Sequence, residues 1–206
     1  MKTLKVFVGA VLAGISIALG GLVFLSVENR VMGAALFTVG LFTVCTMGFN
    51  LFTGKACYLF DNDKAYAMTL PVIWLGNLVG TGLTALCAGL TRSSPGLTER
   101  ARVLCQAKLN DSMLSLFFLG LLCNIFIYIA VEGYKNNPHE LGKYLSLIFG
   151  VMVFILVGTE HCVADMFYFW MAGVWSGRAV AAILVITLGN VAGGVLFPLL
   201  RRFTRS

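Results

Sequence analysis

His161 sits inside a long apolar stretch, between Glu160 and Cys162, with Asp165 about one helical turn further on. An ionisable group buried in such a stretch is costly, and it is typically found where a proton or a charged solute must be met. The plainer reading is a hydrogen-bonded histidine that only ties helices together. The other histidine, His139, follows the polar run Lys135-Asn136-Asn137-Pro138 and reads as solvated. With no second histidine inside an apolar segment, haem ligation is disfavoured. Glu160, beside an interruption of a helix, is suited to accept backbone N–H groups and fix the break. Asp165 is placed to pair with a basic group, and its role stays open.

Thr53 follows Asn50-Leu51-Phe52. Its hydroxyl donates and accepts at once, so it can bridge a small oxyanion to His161, or it can cap a helix. Lys55 either reaches for the aqueous surface or raises the local potential for anions. Lys108 opens the fourth apolar span. A lysine at such a mouth draws anions inward, yet lysines are common at any membrane edge, and spacing alone favours that second reading. The six cysteines, Cys45, Cys57, Cys87, Cys105, Cys123 and Cys162, form no CxxC pair. They read as small buried apolar side chains rather than disulfides or metal ligands, with Cys105, near a loop, fitting least well. No metal or cofactor is expected.

The elements that must carry these residues are membrane spans. Of 206 residues, 59% are hydrophobic and only 12% charged, and mean hydropathy is +0.90. A soluble domain needs more charge to keep its surface in water, so the excess apolar surface faces a lipid bilayer. The formal charge of +6 is not arranged as a basic face with interleaved aromatics, which argues against nucleic-acid binding. Apolar segments long enough to span, roughly 20 residues each, fall near Leu4–Val27, Val31–Phe60, Tyr66–Leu90, Met113–Val131, Lys143–Val174 and Arg178–Leu200. The first is too long for the apolar core of a signal peptide and lacks a clear cleavage site, so it reads as a span. Six spans put both termini on one side, with Lys2, Lys5, Lys64, Lys135, Lys143, Arg201, Arg202 and Arg205. The other side holds Arg30, Arg92, Arg100, Arg102, Lys108 and Arg178. The small excess predicts cytoplasmic termini in a cell membrane.

The second and fifth segments are overlong and interrupted, at Gly48-Phe49-Asn50-Leu51-Phe52-Thr53-Gly54-Lys55 and at Gly158-Thr159-Glu160-His161-Cys162. Irregular backbone at membrane depth is tolerated only where protein or a cavity satisfies it. The third segment carries Leu75-Gly76-Asn77-Leu78-Val79-Gly80 and the sixth Leu188-Gly189-Asn190-Val191-Ala192-Gly193. Two interruptions at matching positions of two similar halves point to a transport site between them. The expected fold is a single all-α channel domain over residues 1–206, with repeats at about 1–91 and 105–206. Three spans per half make the second repeat inverted, and the broken second and fifth helices then meet near the midplane.

The chain resembles the formate/nitrite transporter family. The resemblance rests on five stretches in order: Asn50-Leu51-Phe52-Thr53, Gly76-Asn77-Leu78-Val79-Gly80, Gly120-Leu121-Leu122-Cys123-Asn124, Glu160-His161-Cys162-Val163-Ala164-Asp165-Met166-Phe167, and Gly189-Asn190-Val191-Ala192-Gly193-Gly194. It implies an aquaporin-like protomer in a homopentamer, each protomer with its own pore, passing formate, nitrite or hydrosulfide. It implies that His161 faces Thr53, that constrictions fall on Phe37, Leu41, Leu51 and Phe154, and that Asn124 and Asn190 are pore asparagines. It also moves Lys108 to the vestibule. The chain departs from the family pattern at Gly54-Lys55, where small polar residues are usual, and at Asp165, where asparagine is. The connection between the third and fourth spans reads as a short loop. Formate is the first expectation for the permeant anion. A membrane subunit of a redox enzyme is the competing class, but paired histidines or cysteine clusters are missing. A water or glycerol pore is the third, but paired Asn-Pro-Ala turns are missing.

Overall fold

The computed structural model describes residues 2–204 and, among them, consists of helices joined by short non-helical connections. The order is α1 (Lys2–Ser26), α2 (Arg30–Met47), α3 (Phe52–Ala56), a 3-10 turn Leu59–Asp61, α4 (Lys64–Ala67), α5 (Thr69–Gly89), α6 (Ser94–Asn110), α7 (Met113–Asn136), α8 (Glu140–Val157), α9 (Cys162–Ala172) and α10 (Gly177–Thr204). Among the described residues six helices are long and apolar enough to cross a membrane; four match their apolar segments closely, while α2 ends at Met47 and α8 at Val157, well short of the expected Phe60 and Val174. Arg205 lies outside the described residues.

Helices α1 and α5 pack together, as do α7 and α10, while α2 and α8 meet across the middle of the bundle. Glycine permits the tight pairs: a Cβ at Gly80 would collide with the Val11 carbonyl, and one at Gly193 with that of Leu121. Without a hydrophobic driving force between helices in lipid, such close backbone approach supplies the packing. Large apolar side chains such as Leu75, Leu86, Leu114, Phe149 and Leu188 remain exposed. That outer surface suits lipid or neighbouring subunits rather than water.

Two expectations are corrected here. The connection after the third span is not a short loop: it holds α6, a helix that packs on α9. Lys108 therefore ends α6 rather than opening the fourth span, which starts at Met113 after an Asp111-Ser112 break. Of the cysteines, Cys57, Cys105, Cys123 and Cys162 are buried and Cys45 is half-buried, but Cys87 is exposed on α5. No disulfide forms among the described residues.

Candidate functional site

Both interrupted segments are broken in the same way. Gly48 and Gly158 take left-handed conformations, φ 71° and 81°, and end α2 and α8. A Cβ at either would be strained, which is why glycine stands there. The freed backbone groups then need partners at a depth where water is scarce. Asn50 N–H donates to Gly9 O at 3.1 Å, and Glu160 N–H to Leu119 O at 3.3 Å. Asn77 Oδ1 accepts from Phe52 N–H at 2.8 Å, while its Nδ2 donates to Ala10 O and Asn50 O. Asn190 Oδ1 accepts from Cys162 N–H at 2.9 Å, and its Nδ2 donates to Gly120 O and Glu160 O. One buried amide thus stitches each break to the neighbouring helix.

Between the breaks, Thr53 Oγ1 lies 2.9 Å from His161 Nε2. His161 is the N-cap of α9, and its Nδ1 accepts from Ala164 N–H at 3.2 Å. With Nδ1 occupied as an acceptor, the neutral ring carries its hydrogen on Nε2 and donates it to Thr53. The Phe154 ring stacks on His161 at 5.8 Å between centroids, and Phe37 meets Phe154 edge-on at 6.2 Å. Phe37, Leu41, Leu51 and Phe154 are all buried.

A cavity opens on each side of the pair. One, of about 390 Å³, is lined by Phe37, Phe154 and His161 and by Arg30, Lys108, Glu160 and Asp165. In it Lys108 is ion-paired with Glu160 and lies 2.9 Å from Asp165 Oδ1. Burial alone would lower the Lys108 ammonium, but the Asp165 and Glu160 carboxylates outweigh it and raise its pKa above the usual lysine range. Arg30 gives its guanidinium to the Ile155 and Leu156 carbonyls at the end of α8. The other cavity, of about 110 Å³, is lined by Leu41, Leu51, Cys45, Lys55 and Lys135. Lys135 Nζ rests 3.9 Å from the centre of the Tyr58 ring. Arg202 binds Asp61 and the Phe60 carbonyl here, and Asn50 meets Val6 and Gly9, so the first turns of α1 and the last turn of α10 lie at this end.

The structure therefore joins Thr53 to His161 and groups Phe37 and Phe154 on one side, Leu41 and Leu51 on the other. Asp165 has the basic partner anticipated for it. Three roles differ from expectation. The Glu160 carboxylate accepts from Lys108, not from backbone N–H groups, and the break is held by Asn190 and by the His161 cap. Thr53 is not a cap, since Leu51 precedes α3. Asn124 and Asn190 are fully buried and line neither cavity. Asn124 Nδ2 donates to Thr53 O at 3.1 Å and Asn190 O at 2.7 Å, so both amides brace backbone next to the pathway. Three contributors escaped the sequence reading. Asn77 carried a signal, the repeated Gly-Asn pair, but was not assigned a site. Arg30 and Lys135 carried none beyond their charge.

A family model described as formate/nitrite transporter matches residues 1–203. The nitrite transporter NirC of Salmonella typhimurium is 34% identical over 87% of this chain and 72% of its own length. The formate channel FocA of Haemophilus influenzae is 26% identical over 92% of this chain and 82% of its own. Among solved structures, an "FNT family ion channel" superposes with a TM-score of 0.85 at 27% identity, covering 98% of this chain and 90% of that one. A "pentameric formate channel with formate bound" superposes at 0.81 and 25% identity, covering 98% and 97%.

Proposed function

The chain belongs to the formate/nitrite transporter family, and from that premise we propose that it is a membrane channel for small monovalent anions of weak acids, with formate foremost. The observation that carries this reading is the Thr53–His161 pair, flanked by Phe37 and Phe154 on one side and by Leu41 and Leu51 on the other, with lysines in the cavity on each side.

A bare anion entering so apolar a constriction pays a Born penalty, ideally tens of kcal/mol. A neutral acid pays far less. Lys108 and Arg30 draw the anion to the first constriction, and Lys55 and Lys135 receive it beyond the second. A proton from vestibule water joins the anion beside His161 and Thr53. The neutral acid passes the leucines and gives the proton up on the far side. His161 Nε2–H and the Thr53 hydroxyl orient the oxygens of the solute, and Asn124 and Asn190 keep those two groups in place. Chloride, whose conjugate acid is strong, gains nothing from this route. His161→Phe keeps the stacking on Phe154 but removes the polar face, and weak-acid uptake into proteoliposomes should fall. Unchanged uptake would refute the mechanism.

Nitrite is the second reading, favoured by the 34% identity to a nitrite transporter, and hydrosulfide is the third anion to compare. The protein is not an enzyme, since family and solved neighbours are transporters and channels, and a redox-subunit role has no support. The working unit is a homopentamer, by likeness to the formate-bound pentamer. We place it in the cell membrane with the Lys55 cavity and both termini cytoplasmic, in keeping with the charge bias. The two halves are read as an inverted repeat, supported by matched break residues: Gly48 with Gly158, Asn50 with Glu160, Asn77 with Asn190.

A further inference from the structure

Asp165 is the residue this pathway leaves without a task. It is buried in α9, 2% exposed. Its Oδ1 meets Lys108, while its Oδ2 is buried with no hydrogen-bond partner. Lys108 is shared with Glu160, so the cluster holds one cation and two carboxyl groups.

The groups around it are few. Cys105 and Lys108 face it from α6, Cys123 from α7, Cys162 and Tyr168 from α9 itself, and Glu160 and His161 from the break. Thiols and phenols carry no charge near neutral pH, and His161 Nδ1 is committed to the α9 cap. Ionised at both carboxyls, the cluster bears a net negative charge with one oxygen lacking any donor, an expensive state away from water. Arg30, in the same cavity, brings the sum only to zero. A cavity so balanced has no net pull on an anion.

We propose that Asp165 Oδ2 is a proton-binding site of the Lys108 cavity, and that its protonated form is the one that admits anions to the pathway. The inference rests on the channel reading above. The proton comes from water on that side and forms an O–H bond at Oδ2; no other bond changes, and the proton stays on the carboxyl while the solute passes. Lys108 and Glu160 then cancel, Arg30 is left in excess, and the cavity becomes cationic. Two carboxyls beside one ammonium titrate as a pair, but the carboxyl oxygen buried without a partner is on Asp165. Uptake from this side rises as its pH falls, beyond the rise in the acid fraction of the solute.

The test compares wild type with Asp165→Asn, which keeps shape and cannot ionise. Formate uptake is measured at fixed anion concentration while pH on the Lys108 side is varied. The account expects D165N to transport well at alkaline pH and to lose about tenfold of the acid-to-alkaline ratio, a field effect of ordinary size. A D165N profile that overlays the wild type would overturn it. Infrared difference spectra of wild type, independent of flux, should show a protonated carboxyl band that D165N lacks. Absence of that band would also overturn the proposal. A band present in protein that carries no anion would leave the proton site standing and refute the channel reading. Should D165N fail to assemble, the wild-type band and uptake must share one pH midpoint, and divergence counts against the proposal.

Discussion

The break from Gly48 to Phe52 and the break from Gly158 to Cys162 are closed by equivalent bonds: a left-handed glycine, an N–H donated to the first helix of its own half, and a buried amide from the last. Their side chains differ. The first places Asn50, Leu51 and Thr53 at the opening, with Lys55 beyond them; the second places Glu160 and His161 there, with Asp165 at the position matching Lys55. The stitching matches at the two breaks, while the carboxylates and the histidine stand at the second alone. Backbone groups inside a membrane must be satisfied in either half, so the stitching cannot vary much.

The largest expected effect breaks that asymmetry. Lys108→Met leaves Glu160 and Asp165 buried without their cation, which should cost about 3–5 kcal/mol, read as a collapse of thermal stability in detergent. No single change beside the first break should match it, and stability returning when E160Q and D165N are added would tie the loss to charge.

Next comes His161→Phe, for which weak-acid flux should fall about a hundredfold with the protein still folded, the scale of a lost proton-handling group. Thr53→Val should reduce flux less, because the His161 ring remains to donate.

Third, Asn77→Ala and Asn190→Ala each leave a buried N–H unpaired and should destabilise by about 1–3 kcal/mol. Similar losses in the two would sharpen the view of a duplicated scaffold; a loss in one alone would break it. Smallest, Gly48→Ala and Gly158→Ala should each cost about 1–2 kcal/mol for the left-handed backbone, measured by the same melts.

The spans and both breaks were legible because length, apolarity and out-of-place glycine and polar residues are local signals. Helix α6 was not, because its polar composition reads like a loop and the packing on α9, α1 and α10 that supports it is not local in sequence. Lys108 was legible as a charge but not as a partner: Glu160 and Asp165 lie some fifty residues away, and only the fold brings them to it. Asn124 and Asn190 were assigned to the pore by the family resemblance, and the sequence does not show whether an amide faces the cavity or the backbone behind it. Thr53 and His161 were legible because each sits just past its own break.

The central claim is that a polar pair behind two apolar seals passes weak acids and little else. It is tested most directly by flux into proteoliposomes, comparing formate, nitrite, hydrosulfide and chloride with and without a pH gradient. The account predicts selective weak-acid flux that grows with the gradient, and chloride near background. Chloride passing as readily as formate, or no flux of any of the four from folded protein, would contradict it.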